Sequence, residues 1–227
     1  MSASRRPGQR AGLTRDAVLA AARELLTAGG LEALSMRALA SRLGVAPNAL
    51  YSHVPSKTAL LDDLLDDLLG AVRSPDRDTA DPAAGLAVLM QSTYDVLTAH
   101  PDLVPLFLSR QGARGANAAR LGQTMDALLE RAGLTGPAGT QARRVLIVHT
   151  IGSAAFATSP AQDDDRPLSA QQALSTFNHG LHWLLDGITA VPGRTQPSAG
   201  LTKRVDIREA IAQGDGTDPP GRRHLTT

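Results

Sequence analysis

Residues 34–61, LSMRALASRLGVAPNALYSHVPSKTALL, decide how the rest of the chain is read. The Ser35 hydroxyl can accept a hydrogen bond from the first free N–H groups of a helix beginning beside it. Met36, Leu39, Ala40 and Leu43 then recur on one face. Gly44 ends that helix with the residue best able to take a left-handed backbone. After Val45 and Ala46, Pro47 falls where a first helical residue would sit, with φ preset and no N–H to waste. The spacing predicts a third helix of about seven residues through His53, closed by Pro55-Ser56. Leu50 and Val54, four apart, can pack back onto Leu39 and Leu43. Pro47, Asn48, Tyr51 and Ser52 are then left outward, with His53 and Lys57 at the far end. Helix, tight turn, helix is the plan that sets a recognition helix in a DNA major groove. Asn can pair with adenine, and Tyr, Ser, His and Lys can reach phosphates or base edges. A plain helical hairpin with a polar solvent face fits the same pattern.

Working outward, Thr14 is placed to cap a helix carrying Val18, Ala21, Ala22 and Leu25 at i, i+3, i+4 and i+7, which Gly29-Gly30 stops. A long helix from about Lys57 to Val72 follows, with Leu61, Leu64, Leu65, Leu68 and Val72 along one side. Residues 73–81, RSPDRDTAD, read as a polar linker. Helical stretches are expected at about 82–99, 102–110, 115–132 and 138–158. Ser169, with Gln172 three residues on, forms a capping box that opens a last helix to about Thr189. The basic segment 1–12 and the Gly-, Pro- and Thr-rich segment 191–227 are expected to be disordered. The expected architecture is all-α. An N-terminal three-helix helix-turn-helix domain (13–72) joins a C-terminal helical bundle for ligand binding and dimerisation (82–190).

Composition supports a helical reading. The 227 residues are 42% hydrophobic but only 3% aromatic, and Ala and Leu have little β preference. The chain has no cysteine, which excludes disulfides, thiolate metal sites and a cysteine nucleophile. No stretch reaches the roughly 20 uncharged apolar residues of a membrane helix. No apolar run follows Arg5, Arg6 and Arg10, so a cytoplasmic location is expected. Up to Lys57 there are eight basic residues against Asp16, Glu24 and Glu32, although the whole chain is only +1. A basic end on an acidic body points to nucleic acid at the N-terminal segment.

The matched positions are more specific than any of these patterns. Leu34-Ser35, Leu39-Ala40, Leu43-Gly44-Val45, Leu50-Tyr51, His53, Lys57 and Leu60-Leu61 together resemble the DNA-binding domain of the TetR family of bacterial transcription regulators. The resemblance covers about residues 13–72. It implies a three-helix unit whose fourth helix leads into an all-helical domain that binds ligand and dimerises. It further implies a homodimer, most simply a repressor, released from a palindromic double-stranded operator by a small-molecule effector. Arg37, Pro47, Asn48, Tyr51, Ser52, His53 and Lys57 are the expected DNA contacts. One departure stands out. The family often has Ser or Thr where this chain has Ala46, which can neither cap the third helix nor touch a phosphate. The last helix, TFNHGLHWLLDGI, more faintly resembles the tetracycline-repressor branch. Leu103-Val104-Pro105-Leu106-Phe107 offers no metal ligand where that repressor uses histidine, so neither tetracycline nor magnesium is carried over.

Other groupings compete with this reading. Asp62, Asp63, Asp66 and Asp67 form one carboxylate face of a helix, with the Asp-Asp-x-x-Asp spacing of magnesium-dependent isoprenoid synthases. An acidic face open to solvent is the alternative. An effector-less DNA-binding activator is a further one. His179 and His182, three apart, could share a metal but lack a third ligand at suitable spacing. No catalytic constellation, cofactor or metal is expected. Ser92, Phe107, Arg110, Met125 and His149 are the expected ligand contacts, with His149 the polar anchor of an apolar pocket. Leu174, Phe177, Leu181, Leu184, Leu185 and Ile188, with Trp183, cover so much of the last helix that a second buried side, a dimer interface, is expected.

Overall fold

The computed structural model describes residues 13–76, 78–159 and 168–190. The expected disordered segments, 1–12 and 191–227, lie outside the described residues. The described residues are all helical: α1 (Arg15–Ala33), α2 (Met36–Leu43), α3 (Pro47–Leu50), α4 (Lys57–Leu69), α5 (Pro82–Ala99), a 3-10 turn (Pro101–Leu103), α6 (Val104–Arg110), α7 (Ala116–Arg131), α8 (Gly136–Thr158) and α9 (Ala170–Thr189).

Local chemistry sets most of these ends. Thr14, Ser35 and Ser56 each accept a hydrogen bond from the backbone N–H three residues on, at 3.1–3.2 Å. Asp81 caps α5 by accepting from Ala83 N, two residues on, at 2.9 Å, with Pro82 in the first turn. The capping box of α9 is complete, Ser169 Oγ accepting from Gln172 N and Gln172 Oε1 accepting from Ser169 N. Gly44 closes α2 at φ 65°, ψ 31°. Gly29 and Gly30 leave helical geometry as expected, yet one further turn runs on to Ala33 before the chain extends at Leu34.

Val18, Ala22, Leu26, Leu39, Leu50, Val54, Leu60 and Leu64 are all 3% exposed or less and bring α1 to α4 together. Each such Leu contributes about 1.5–3 kcal/mol relative to an exposed one. Behind α4, α5 packs on α7, α8 and α9, while α6 lies against α8 and α4 against α7. Tyr94 of α5, Phe177 of α9 and His149 of α8 form a ring stack at their junction, with centroids 4.2 and 5.3 Å apart.

Candidate nucleic-acid interface and internal cavity

The turn between α2 and α3 fixes what the surface can present. Leu39, Leu50 and Val54 are fully buried, so the opposite side of α3 and the turn after it must face out. Pro47, Asn48, Tyr51, Ser52, His53 and Lys57 are exposed, as is Arg37 on α2. All seven expected DNA contacts are therefore accessible at the surface. Their roles are not alike. Ser52 Oγ already donates to Ala49 O at 2.8 Å, whereas Lys57 opens α4, where the helix's partial positive end also draws anions. Arg42, five residues on from Arg37, is held by Glu24 of α1 at 2.5 and 2.8 Å and so clamps α2 to α1.

α3 is shorter than expected. It ends at Leu50, and a turn carries the chain onward through His53 N→Leu50 O and Val54 N→Leu50 O bonds of 2.9 and 2.8 Å. Ala46 makes no side-chain cap, which leaves this four-residue helix without the hydroxyl that starts α1, α2 and α4.

The acidic face of α4 corrects both the metal-diphosphate reading and the solvated one. Arg110 of α6 grips Asp62 through two bonds of 2.6 and 2.8 Å. Asp63 pairs with Arg15 at 2.8 Å, and Asp67 pairs with Arg23. Asp66 is 7% exposed and accepts from Asn117 N and Ala118 N, at 3.2 and 2.8 Å, in the first turn of α7. Each carboxylate is thus committed to a structural partner. Among the described residues no group of three His, Asp or Glu could hold a metal ion. Nothing local in the sequence signals this, because the partners of Asp62, Asp66 and Asp67 lie 44–52 residues away along the chain.

Two adjoining cavities, of about 270 and 580 Å³, open among α5, α6, α7 and α8 and share Phe107, Gln111, Gly112, Arg143, Ile147 and Ile151. Of the expected ligand contacts, Phe107 and Met125 line them. Ser92 instead accepts the Arg73 N–H at 2.9 Å, tying the linker to α5. Arg110 is taken by Asp62. His149 faces α9, its Nε2 3.0 Å from Phe177 O and its ring against Gly180 and Phe177. These three line neither cavity. Sequence reasoning missed Gln111, which closes α6 at φ 54°, ψ 46°, an uncommon backbone for a residue with a side chain. It also missed Arg143 and Arg144, whose Arg-Arg pair on an otherwise apolar helical stretch was the available signal.

The expected interface residues divide as well. Phe177, Leu181 and Leu185 are buried in the protomer's own core, with Leu184 and Ile188 packed against it. At 100° per residue these five fall on one inner face of α9, which corrects the expectation of two apolar sides. Leu174 is partly exposed. Trp183 projects outward, 71% exposed, and on α8 Val145, Val148 and Phe156 are exposed along one stripe.

The helix-turn-helix and the helical bundle behind it define a class of transcription regulators, and the comparisons agree. The family model described as "Bacterial regulatory proteins, tetR family" matches residues 18–64. The chain is 34% identical over 157 residues to the HTH-type transcriptional repressor DrrR1 of Streptomyces coeruleorubidus, covering 66% of this chain and 56% of that protein. It is 31% identical to the class G tetracycline repressor protein of Vibrio anguillarum, covering 78% and 87%. The structure of the Streptomyces coelicolor TetR family protein ActR in complex with (S)-DNPA superposes with a TM-score of 0.69 at 26% identity, covering 81% of this chain and all of that one. The chain spans little more than half the length of the first curated relatives it matches, 56% and 51%. It belongs to the TetR family of bacterial regulatory proteins. No helix among the described residues is long and apolar enough to cross a membrane.

Proposed function

We propose that the chain is a homodimeric, ligand-responsive repressor that acts in the cytoplasm on a palindromic operator. The observation that carries this is the polar surface of α3 and the turn after it, held outward by the burial of Leu50 and Val54. In this reading residues 13–72 bind DNA. Asn48 reads a base edge, and Arg37, Tyr51, His53 and Lys57 hold phosphates. Residues 82–190 bind the effector in the joined cavities and form the dimer. That a relative is a repressor by name, and that a protein of similar fold was solved in complex with (S)-DNPA, supports both halves. The larger cavity, about 580 Å³, lies within the roughly 300–1,000 Å³ of small-molecule sites. Arg110, next to the cavity residue Gln111, reaches Asp62 on α4, so a ligand that displaces α6 would shift the recognition helix with it. Effector and operator would then weaken each other reciprocally, by about 1–3 kcal/mol.

Selection from a randomised duplex library tests the DNA half. Wild type should enrich a palindrome with half-sites one helical turn apart. Tyr51→Ala with Lys57→Ala should stay folded, since both side chains are exposed, and should lose that enrichment. An enriched sequence bound equally well by the double variant would sink the assignment.

A further inference from the structure

We propose that the effector is an amphipathic anion, an apolar body bearing a carboxylate, phenolate or other acidic group, with Arg144 and Arg143 holding the charge. The proposal rests on the reading of the joined cavities as the effector site. Their walls are mostly apolar: Leu89, Met90, Leu97, Phe107, Met125 and Ile147 among others. The polar groups there are uneven in sign. The hydroxyls of Thr93 and Thr150 donate back into their own helices, to Leu89 O at 2.8 Å and Leu146 O at 2.9 Å. Among the described residues no Asp or Glu lines either cavity, and the only charged groups lining them are the guanidinium groups of Arg143 and Arg144.

The two arginines differ in how far they are already engaged. Arg143 Nη1 donates to Asp126 at 2.9 Å, which steadies its side chain. Asp126 lines neither of the two cavities. Arg144, one residue on, lines the larger cavity and has no ion pair among the described residues. A guanidinium beside an apolar wall, with no carboxylate against it, is a ready acceptor for an anion. Gln111, at the boundary of both cavities, adds an amide that can donate to the same acidic group. A cationic ligand would meet two like charges with no acid to offset them, and an uncharged one would leave Arg144 unused.

Two fluorescent probes with one ring system separate the possibilities. Anilinonaphthalene sulfonate carries the anion, and N-phenylnaphthylamine lacks it. Wild type should bind the sulfonate at least tenfold more tightly, roughly what a charge-assisted hydrogen bond contributes. Arg144→Gln, which removes an exposed and unpaired side chain, should cost the sulfonate about tenfold and leave the amine within about twofold. Arg144→Glu should weaken the sulfonate further. Equal affinity of wild type for both probes, or a sulfonate affinity indifferent to Arg144→Gln and Arg143→Gln, would overturn the anionic class alone. Ile147→Trp, or Ala118→Leu from the α7 side should that variant not fold, fills the cavity and should weaken both probes. Undiminished binding of both by a folded cavity-filled variant would overturn the effector site itself.

Discussion

Asp66 lies beneath the first turn of α7, and Gly115 is the residue that lets it come so close. Gly115 stands at φ 143°, and a Cβ there would meet the Asp66 carboxylate at 2.4–2.7 Å. The carboxylate takes the place of an N-cap side chain, which Gly115 cannot supply, and it also places negative charge at the helix's positive end. Asp66→Ala should therefore leave two part-buried N–H groups of α7 without their acceptor and cost about 1–2 kcal/mol in a urea titration. Gly115→Ala should cost at least as much, through the clash and the strained backbone. In the Asp66→Ala background the carboxylate is gone, so the second substitution should cost less than it does alone. Strictly additive losses would show that the two residues do not act on one another.

At the scale of single elements, α3 is the weak point. It spans four residues and starts at Ala46 without a side-chain cap. Ala46→Ser places a hydroxyl where it can accept from Ala49 N, the group that now bonds Ala46 O at 2.9 Å. The expected gain is about 0.5–1 kcal/mol in stability. Operator binding should tighten too, because the recognition helix is better ordered before contact. A variant neither more stable nor tighter-binding would show that Pro47 alone already fixes the start of this helix. Element boundaries were legible in the sequence wherever such local chemistry set them, as at Thr14, Ser35, Gly44 and Ser169. The length of α3 was not, because the turn's bonds to Leu50 O keep Val54 facing the core and preserve the apolar spacing after the helix has ended. The exposure of the residues proposed to contact DNA was legible for the same reason, since burying Leu50 and Val54 leaves them nowhere else to go. The cavity was legible only in part. Ser92, Arg110 and His149 have the right chemistry on the right helices, yet each is claimed by a partner remote in sequence: Arg73 N, Asp62 and Phe177 O.

At the scale of the whole molecule, the proposed dimer must use a face the protomer leaves uncovered. α9 turns Leu181 inward, 2% exposed, and presents Trp183 outward at 71%, while α8 presents Phe156 at 70% and Val148 at 64%. Val145, Val148, Gly152 and Phe156 are spaced three, four and four apart, so they form one stripe along α8 with a gap at Gly152; Val148 and Gly152 also wall the larger cavity, so the proposed dimer face borders the proposed effector site. A bulky indole on one protomer and a gap between apolar side chains on the other suit a two-fold contact, in which each copy supplies both parts. A stable contact of this kind buries roughly 1,200 Å² or more in total. Two charge substitutions then separate folding from assembly. Leu181→Glu buries an unpaired carboxylate in the protomer core and should unfold it, a loss of several kcal/mol. Trp183→Glu combined with Phe156→Glu touches only exposed side chains, so the protomer should keep its helicity and melt within a few degrees of wild type. In sedimentation the wild type should be dimeric at micromolar concentration and the double variant monomeric. A monomer carries one recognition helix with few base contacts, so it should lose the operator despite an intact N-terminal domain. A double variant that sediments as a dimer would place the interface elsewhere. A folded monomer that still holds the operator tightly would remove the need for a dimer.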